Sequence, residues 1–163
     1  MIKLRLLISF CLLTATIMSS ATESRLFHIE RLKNANIVCY DVREENGNLD
    51  MDNPIHVYWI RLAEDGSRKE LSFIQRTLAF GYKIVSKGQN EVEVKLTAYK
   101  GRSIRICQHK GKWVGRVSIN GKECTLEHIY VKTKTPDAMR VEYVELFGFN
   151  AAGKKVSEKI YNK

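Results

Sequence analysis

The chain has 163 residues with 27 basic and 18 acidic side chains, a formal charge of +9. Apart from a leader, that length suits one ordinary domain with a substantial core and is too short for two. The cations are scattered among apolar and polar residues without a recognition helix or base-stacking platform, which argues against a nucleic-acid partner.

Lys3 and Arg5 precede an apolar run over residues 6–17, and the small residues Ser19, Ser20 and Ala21 follow. This is the order of a secretory signal peptide and predicts cleavage after Ala21. The run is too short for an untilted membrane span, and Ser9, Thr14 and Thr16 dilute it. Cys11 is not a lipid-modified cysteine, because Phe10 stands where that processing needs a small residue. The expectation is an extracytoplasmic protein, periplasmic or secreted, with no transmembrane span in its mature chain. Residues 22–163 are then a single β-rich domain; they contain only two prolines, no linker and no internal repeat.

Strand composition recurs at residues 35–42, 56–62 and 82–85, with polar loops at 43–48 and 63–67 between the first elements. One helix is expected over residues 70–80, where Leu71, Ile74 and Leu78 recur at i, i+3 and i+7 and Gly81 ends the pattern. Val92, Val94, Leu96 and Ala98 alternate with Glu91, Glu93, Lys95 and Thr97, which predicts a strand with one buried and one wet face. Strands at 103–106 and 113–119 follow, the second with Val117 and Ile119 inward. Asn120-Gly121 then signals a tight hairpin, because both central residues of a type I′ turn need positive φ. With the return at 124–132, residues 91–132 form a four-strand antiparallel meander. Strands at 139–149, with a bulge near Tyr143–Val144, and at 154–161 complete the set. The fold class is mainly β: one antiparallel β-barrel or sandwich of eight or nine strands with one short helix.

Cys39, Cys107 and Cys124 allow one disulfide and one thiol left over. The meander sets Cys107 and Cys124 near opposite ends of the intervening strand, roughly 20 Å apart, beyond the reach of a disulfide; whether Cys39 pairs with either stays open. The histidines are not at zinc-type spacing, so no metal and no cofactor are expected. His28 and Glu30, with Tyr40-Asp41 close behind, offer acid–base groups without a nucleophile motif. Cys39 with a distant histidine would make a thiol–imidazole pair, but Ile37-Val38-Cys39-Tyr40 reads as core.

The best candidate for a binding face is His56-Val57-Tyr58-Trp59-Ile60. Strand parity puts Val57 and Trp59 on one side, toward the core, and His56 and Tyr58 on the other. With Arg61 beside them, His56 and Tyr58 suit a sugar or an acidic group. Arg76, Tyr82 and Tyr99 are further candidates for the same face.

Phe27-His-Ile-Glu-Arg-Leu-Lys-Asn-Ala-Asn, Val38-Cys-Tyr-Asp, Asn53-Pro-Ile-His-Val-Tyr-Trp-Ile and Phe80-Gly-Tyr together resemble DUF4833, a family of exported bacterial proteins of unknown function. The resemblance implies an exported single domain and assigns no substrate, cofactor or catalytic residue. The functional expectation is a non-catalytic β domain that binds a small molecule, glycan or cell-envelope component. The alternatives are a hydrolase acting on envelope material and a structural subunit pairing through an edge strand.

Overall fold

A computed structural model describes residues 24–31, 34–134 and 140–161. The leader at 1–21 lies outside the described residues. The longest strand organises the rest. β11 (Lys122–Thr133) pairs along one edge with β12 (Val141–Phe149), which in turn pairs with β13 (Lys155–Tyr161). Its other edge is divided. Residues 122–125 pair antiparallel with β10 (Lys112–Ile119), whereas His128 to Val131 pair in parallel with β1 (Arg25–Arg31).

Two arms leave from that divided edge. One runs from β10 through β9 (Ile104–His109) and β8 (Glu91–Leu96) to β7 (Tyr82–Gly88). The other runs from β1 through β2 (Asn34–Val42) and β5 (Ile55–Ile60) to the short β6 (Arg68–Glu70). The arms curl into a half-barrel around one apolar cluster, in which Phe27, Ile29, Val38 and Tyr40 of the second meet Val94, Leu96, Ile104 and Ile106 of the first. At the far ends, the Tyr82 hydroxyl bonds the backbone N–H and carbonyl of Ile55, joining the start of β7 to the start of β5. A separate two-strand hairpin, β3 (Glu44–Glu45) and β4 (Asn48–Leu49), projects from the loop after β2.

The mainly β class and the meander are as the alternation requires: β8, β9, β10 and β11 are successive antiparallel neighbours, and Asn120 and Gly121 both have positive φ. β1, β6 and the hairpin raise the strand number above nine. β1 also departs from antiparallel pairing. It is joined to β11 by no turn, so no hairpin geometry fixes its direction. The β12 bulge falls at Glu142, one residue before the expected place, and a second at Glu127 shifts the inward set of β11 to Ile129 and Val131.

Two details correct the sequence reading. Cys107 stands opposite Val114 and Cys124 opposite Val117. Their Cα atoms are therefore about 14 Å apart, from a strand spacing near 4.8 Å and a rise near 3.3 Å, and not at opposite ends of β10. Cys124 faces the core and Cys107 the outer surface, so the thiols point away from each other. The helix does form, as α1 (Phe73–Gln75) continued by a wider π turn (Arg76–Phe80), but of the expected stripe only Leu71, which precedes it, is buried. Ile74 is 67 % and Leu78 73 % exposed; the core contacts come from Leu71 before it and Phe80 at its end. Leu71 lies before the Ser72 cap and so shares no helical face with Ile74, and the wide second turn takes Leu78 off the 3.6-residue spacing.

β13 is secured across the molecule. Arg102 donates two hydrogen bonds to the Glu158 carboxylate at 2.6 and 2.7 Å, and the Asn120 N–H donates to the same group. The Arg102 bonds hold the Glu158 carboxyl down at about 2, from an ordinary 4.5. A carboxyl depressed in the folded state stabilises it above the unfolded value and loses that contribution as pH falls through the folded one. The melting temperature is therefore expected to fall between pH 4.5 and 2, and less steeply in Glu158→Gln. Parallel curves for the two proteins would show that this ion pair does not secure β13.

Candidate functional site

The outer face of β2 and β5 carries a packed polar layer. Cross-strand register aligns His28, Cys39, Tyr58 and Glu70 in one row, and Asp41 with His56 in the next. The Tyr58 hydroxyl donates to Asp41 Oδ2 at 2.5 Å. Arg25 Nε donates to Asp41 Oδ1 at 2.5 Å, and its Nη2 donates to the Tyr58 oxygen at 2.9 Å. This closes a triangle around Asp41, which is only 3 % exposed. Arg68 lies over the Tyr58 ring, 3.7 Å from its centroid, and donates to His56 Nδ1 at 2.6 Å. His56 Nε2 then faces Glu70 Oε2 at 2.9 Å, which assigns the ring proton to Nε2.

These contacts answer the acid–base and thiol candidates. Cys39 lies beneath the layer with no exposed surface, and burial pushes its thiol up to about 11, so it stays protonated and shielded. Burial, followed by the bond to Asp41, raises Tyr58 to about 12. His28 Nε2 meets Glu30 at 2.9 Å and stacks on His128 at 5.2 Å, apart from the Asp41 triangle. Among the described residues, no group of three His, Cys, Asp or Glu side chains is arranged to hold a metal.

The expected His56–Tyr58–Arg61 face is only partly assembled. His56 and Tyr58 are neighbours, with ring centroids 5.4 Å apart, but Tyr58 is buried under Arg25 and Arg68 and is not an open surface. Arg61 pairs with Glu64 and lines a small recess with Trp59, Asn36, Lys69 and Gln75, away from His56 and Tyr58. Trp59 is half-buried, edge-on to Phe80 at 4.9 Å.

Arg76 and Tyr82 do converge, and His56 borders the place where they meet. A cleft of about 590 Å³ opens between the start of β5, the π turn and β7. Ile55, Val57 and Ile84 give it apolar walls, while Arg43, Arg76, Lys83, Tyr82 and Asn53 supply polar groups. Burial raises the Tyr82 hydroxyl; its bond to Ile55 and the charges of Arg43 and Arg76 act against that rise, and the Asp50 charge adds to it. Among the described residues, Arg43, Arg76 and Lys83 have no carboxylate partner. Asp52 on the rim is bonded to Lys87 at 2.5 Å, and Asp50 accepts the N–H groups of Asp52 and Asn53. Gly81 lets the π turn close beside the cleft: its N–H donates to the Arg76 carbonyl, and a Cβ there would meet that oxygen at 2.1 Å. Tyr99 is elsewhere, beside Arg102.

Arg43 and Lys83 escaped the sequence reading. One lies in a polar loop and the other on an exposed strand face, and no spacing links them to Arg76.

The fold and cleft define a curled β-sheet protein with a basic recess at one end. The family model for DUF4833, a domain of unknown function, matches residues 27–159, and the chain belongs to that family. No curated protein and no solved structure matches it. Among the described residues, no helix is long and apolar enough to cross a membrane.

Proposed function

We propose that this is an exported, non-catalytic binding protein that holds an anionic small molecule, acidic glycan or envelope component in the Arg43–Arg76 cleft. The observation that carries the reading is the convergence of Arg43, Arg76 and Lys83 on one recess where, among the described residues, the one lining carboxylate, Asp52, is bonded to Lys87 instead. A guanidinium bonds a carboxylate or phosphate through two parallel N–H groups, and apolar walls strengthen such bonds by excluding water. The burial of Cys39 favours binding over thiol catalysis, since the thiol has no exposed surface. Export is supported by the charged, apolar and small-residue order of residues 1–21.

Isothermal titration with glycerol 1-phosphate and trigalacturonate tests the reading. At least one probe is expected to bind. Arg43→Ser and Arg76→Ser are each expected to weaken it by about tenfold or more, the loss of a charge-assisted hydrogen bond. Both arginines are exposed and unpaired, so melting temperatures should hardly change. Equal affinity in both variants, or binding of neither probe, would refute the assignment.

A further inference from the structure

The outward stripe of the helix is held rigidly. At its start, the Gln75 N–H donates to Ser72 Oγ and the Ser72 N–H donates to Gln75 Oε1, a reciprocal cap. At its end, the buried Tyr40 hydroxyl donates to the Phe80 carbonyl at 2.8 Å. Between these anchors Phe73, Ile74 and Leu78 stand 82, 67 and 73 % exposed. Leaving three large apolar side chains in water on a fixed turn needs a reason beyond folding.

Their surroundings point to the occupant. Arg76, Lys83 and Arg43 lie on the cleft side of the helix, and Lys69 lies beside Gln75 on the other. Among the described residues, none of these four cations is paired with a carboxylate. Three side chains on one short helix are too few for the roughly 1,000 Å² of a specific protein interface. An apolar knob rimmed by cations is complementary to a lipid leaflet with negative headgroups, where apolar burial and charge attraction act together.

We propose that Phe73, Ile74 and Leu78 form a wedge that enters the headgroup layer of an anionic membrane, with the adjacent cleft receiving a lipid phosphate. The second clause rests on the anion-binding reading of the cleft; the wedge itself does not.

The test uses protein purified after export, its N-terminus sequenced to verify that the leader is absent, and sedimented with phosphatidylcholine vesicles with and without phosphatidylglycerol. Wild type is expected to bind the phosphatidylglycerol vesicles about tenfold or more tightly than phosphatidylcholine alone. Phe73→Ser with Leu78→Ser is expected to weaken vesicle binding about tenfold or more while leaving glycerol 1-phosphate binding unchanged. Arg43→Ser with Arg76→Ser should lose glycerol 1-phosphate and the phosphatidylglycerol preference together. If the wedge variant sediments as wild type does, or wild type ignores phosphatidylglycerol, the wedge is overturned. Vesicle binding without glycerol 1-phosphate binding would remove the cleft's role and retain the wedge. Dimerisation without lipid that the wedge variant abolishes would give this surface to a second copy of the chain and overturn the membrane assignment.

Discussion

Replacing Tyr58 with alanine is expected to destabilise the protein by about 3–5 kcal/mol, the cost of truncating a buried aromatic side chain. Parity alone makes Tyr58 an outward residue whose loss should cost little. In the folded chain it is 5 % exposed, its ring lies under Arg68, and its hydroxyl donates to Asp41. Alanine would leave Asp41 with Arg25 as its remaining side-chain partner and would open a void above Cys39. Tyr58→Phe keeps the ring and removes the bond to a charged group, so its cost is expected to be about 1.5–3 kcal/mol. Urea denaturation of the three proteins gives the comparison. A loss below about 1 kcal/mol for Tyr58→Ala would show that the arginine layer does not pack as described.

Phe27→Ala is expected to cost about 3–5 kcal/mol for a different reason. Phe27 has no exposed surface, stacks on Tyr40 with ring centroids 4.6 Å apart, and lies against the space above Gly115 on β10. It fills the joint where the two arms of the sheet separate. The arms are fixed by strand pairing to β11, so the joint cannot collapse fully onto the vacancy. Urea midpoints measure the effect, and the slope of the transition checks that the native sheet is otherwise retained. A near-neutral substitution would mean that the arms meet elsewhere.

Legibility followed the range of the interactions. The meander was readable because Val92, Val94 and Leu96 alternate cleanly and Asn120-Gly121 admits one tight turn. β1 is less legible although His28 and Glu30 alternate with Ile29, because the run is short and its β11 partner lies a hundred residues along the chain with no turn between them. The helix is legible but its buried face is not, because the helix begins only after Leu71 and a π turn replaces the regular spacing at Leu78. At the site, parity put His56 and Tyr58 on one face correctly. It could not show that Arg25 and Arg68 cover Tyr58, since period-two alternation says which way a side chain points and nothing of what lies above it. The cleft was the least legible feature: Arg43, Arg76 and Lys83 come from a loop, a helix and an edge strand and meet only because the arms curl.

The central claim, that this recess binds an anion, is tested most directly by amide chemical-shift mapping during titration with whichever of glycerol 1-phosphate and trigalacturonate binds. The account expects the shifts to centre on Arg43, Thr77, Gly81 and Thr97, which line the cleft, and to vanish in Arg43→Ser with Arg76→Ser. Shifts centred instead on a separate recess between the β9–β10 turn and the end of β12, lined by His109, Lys112, Arg116 and Asn150, would contradict it.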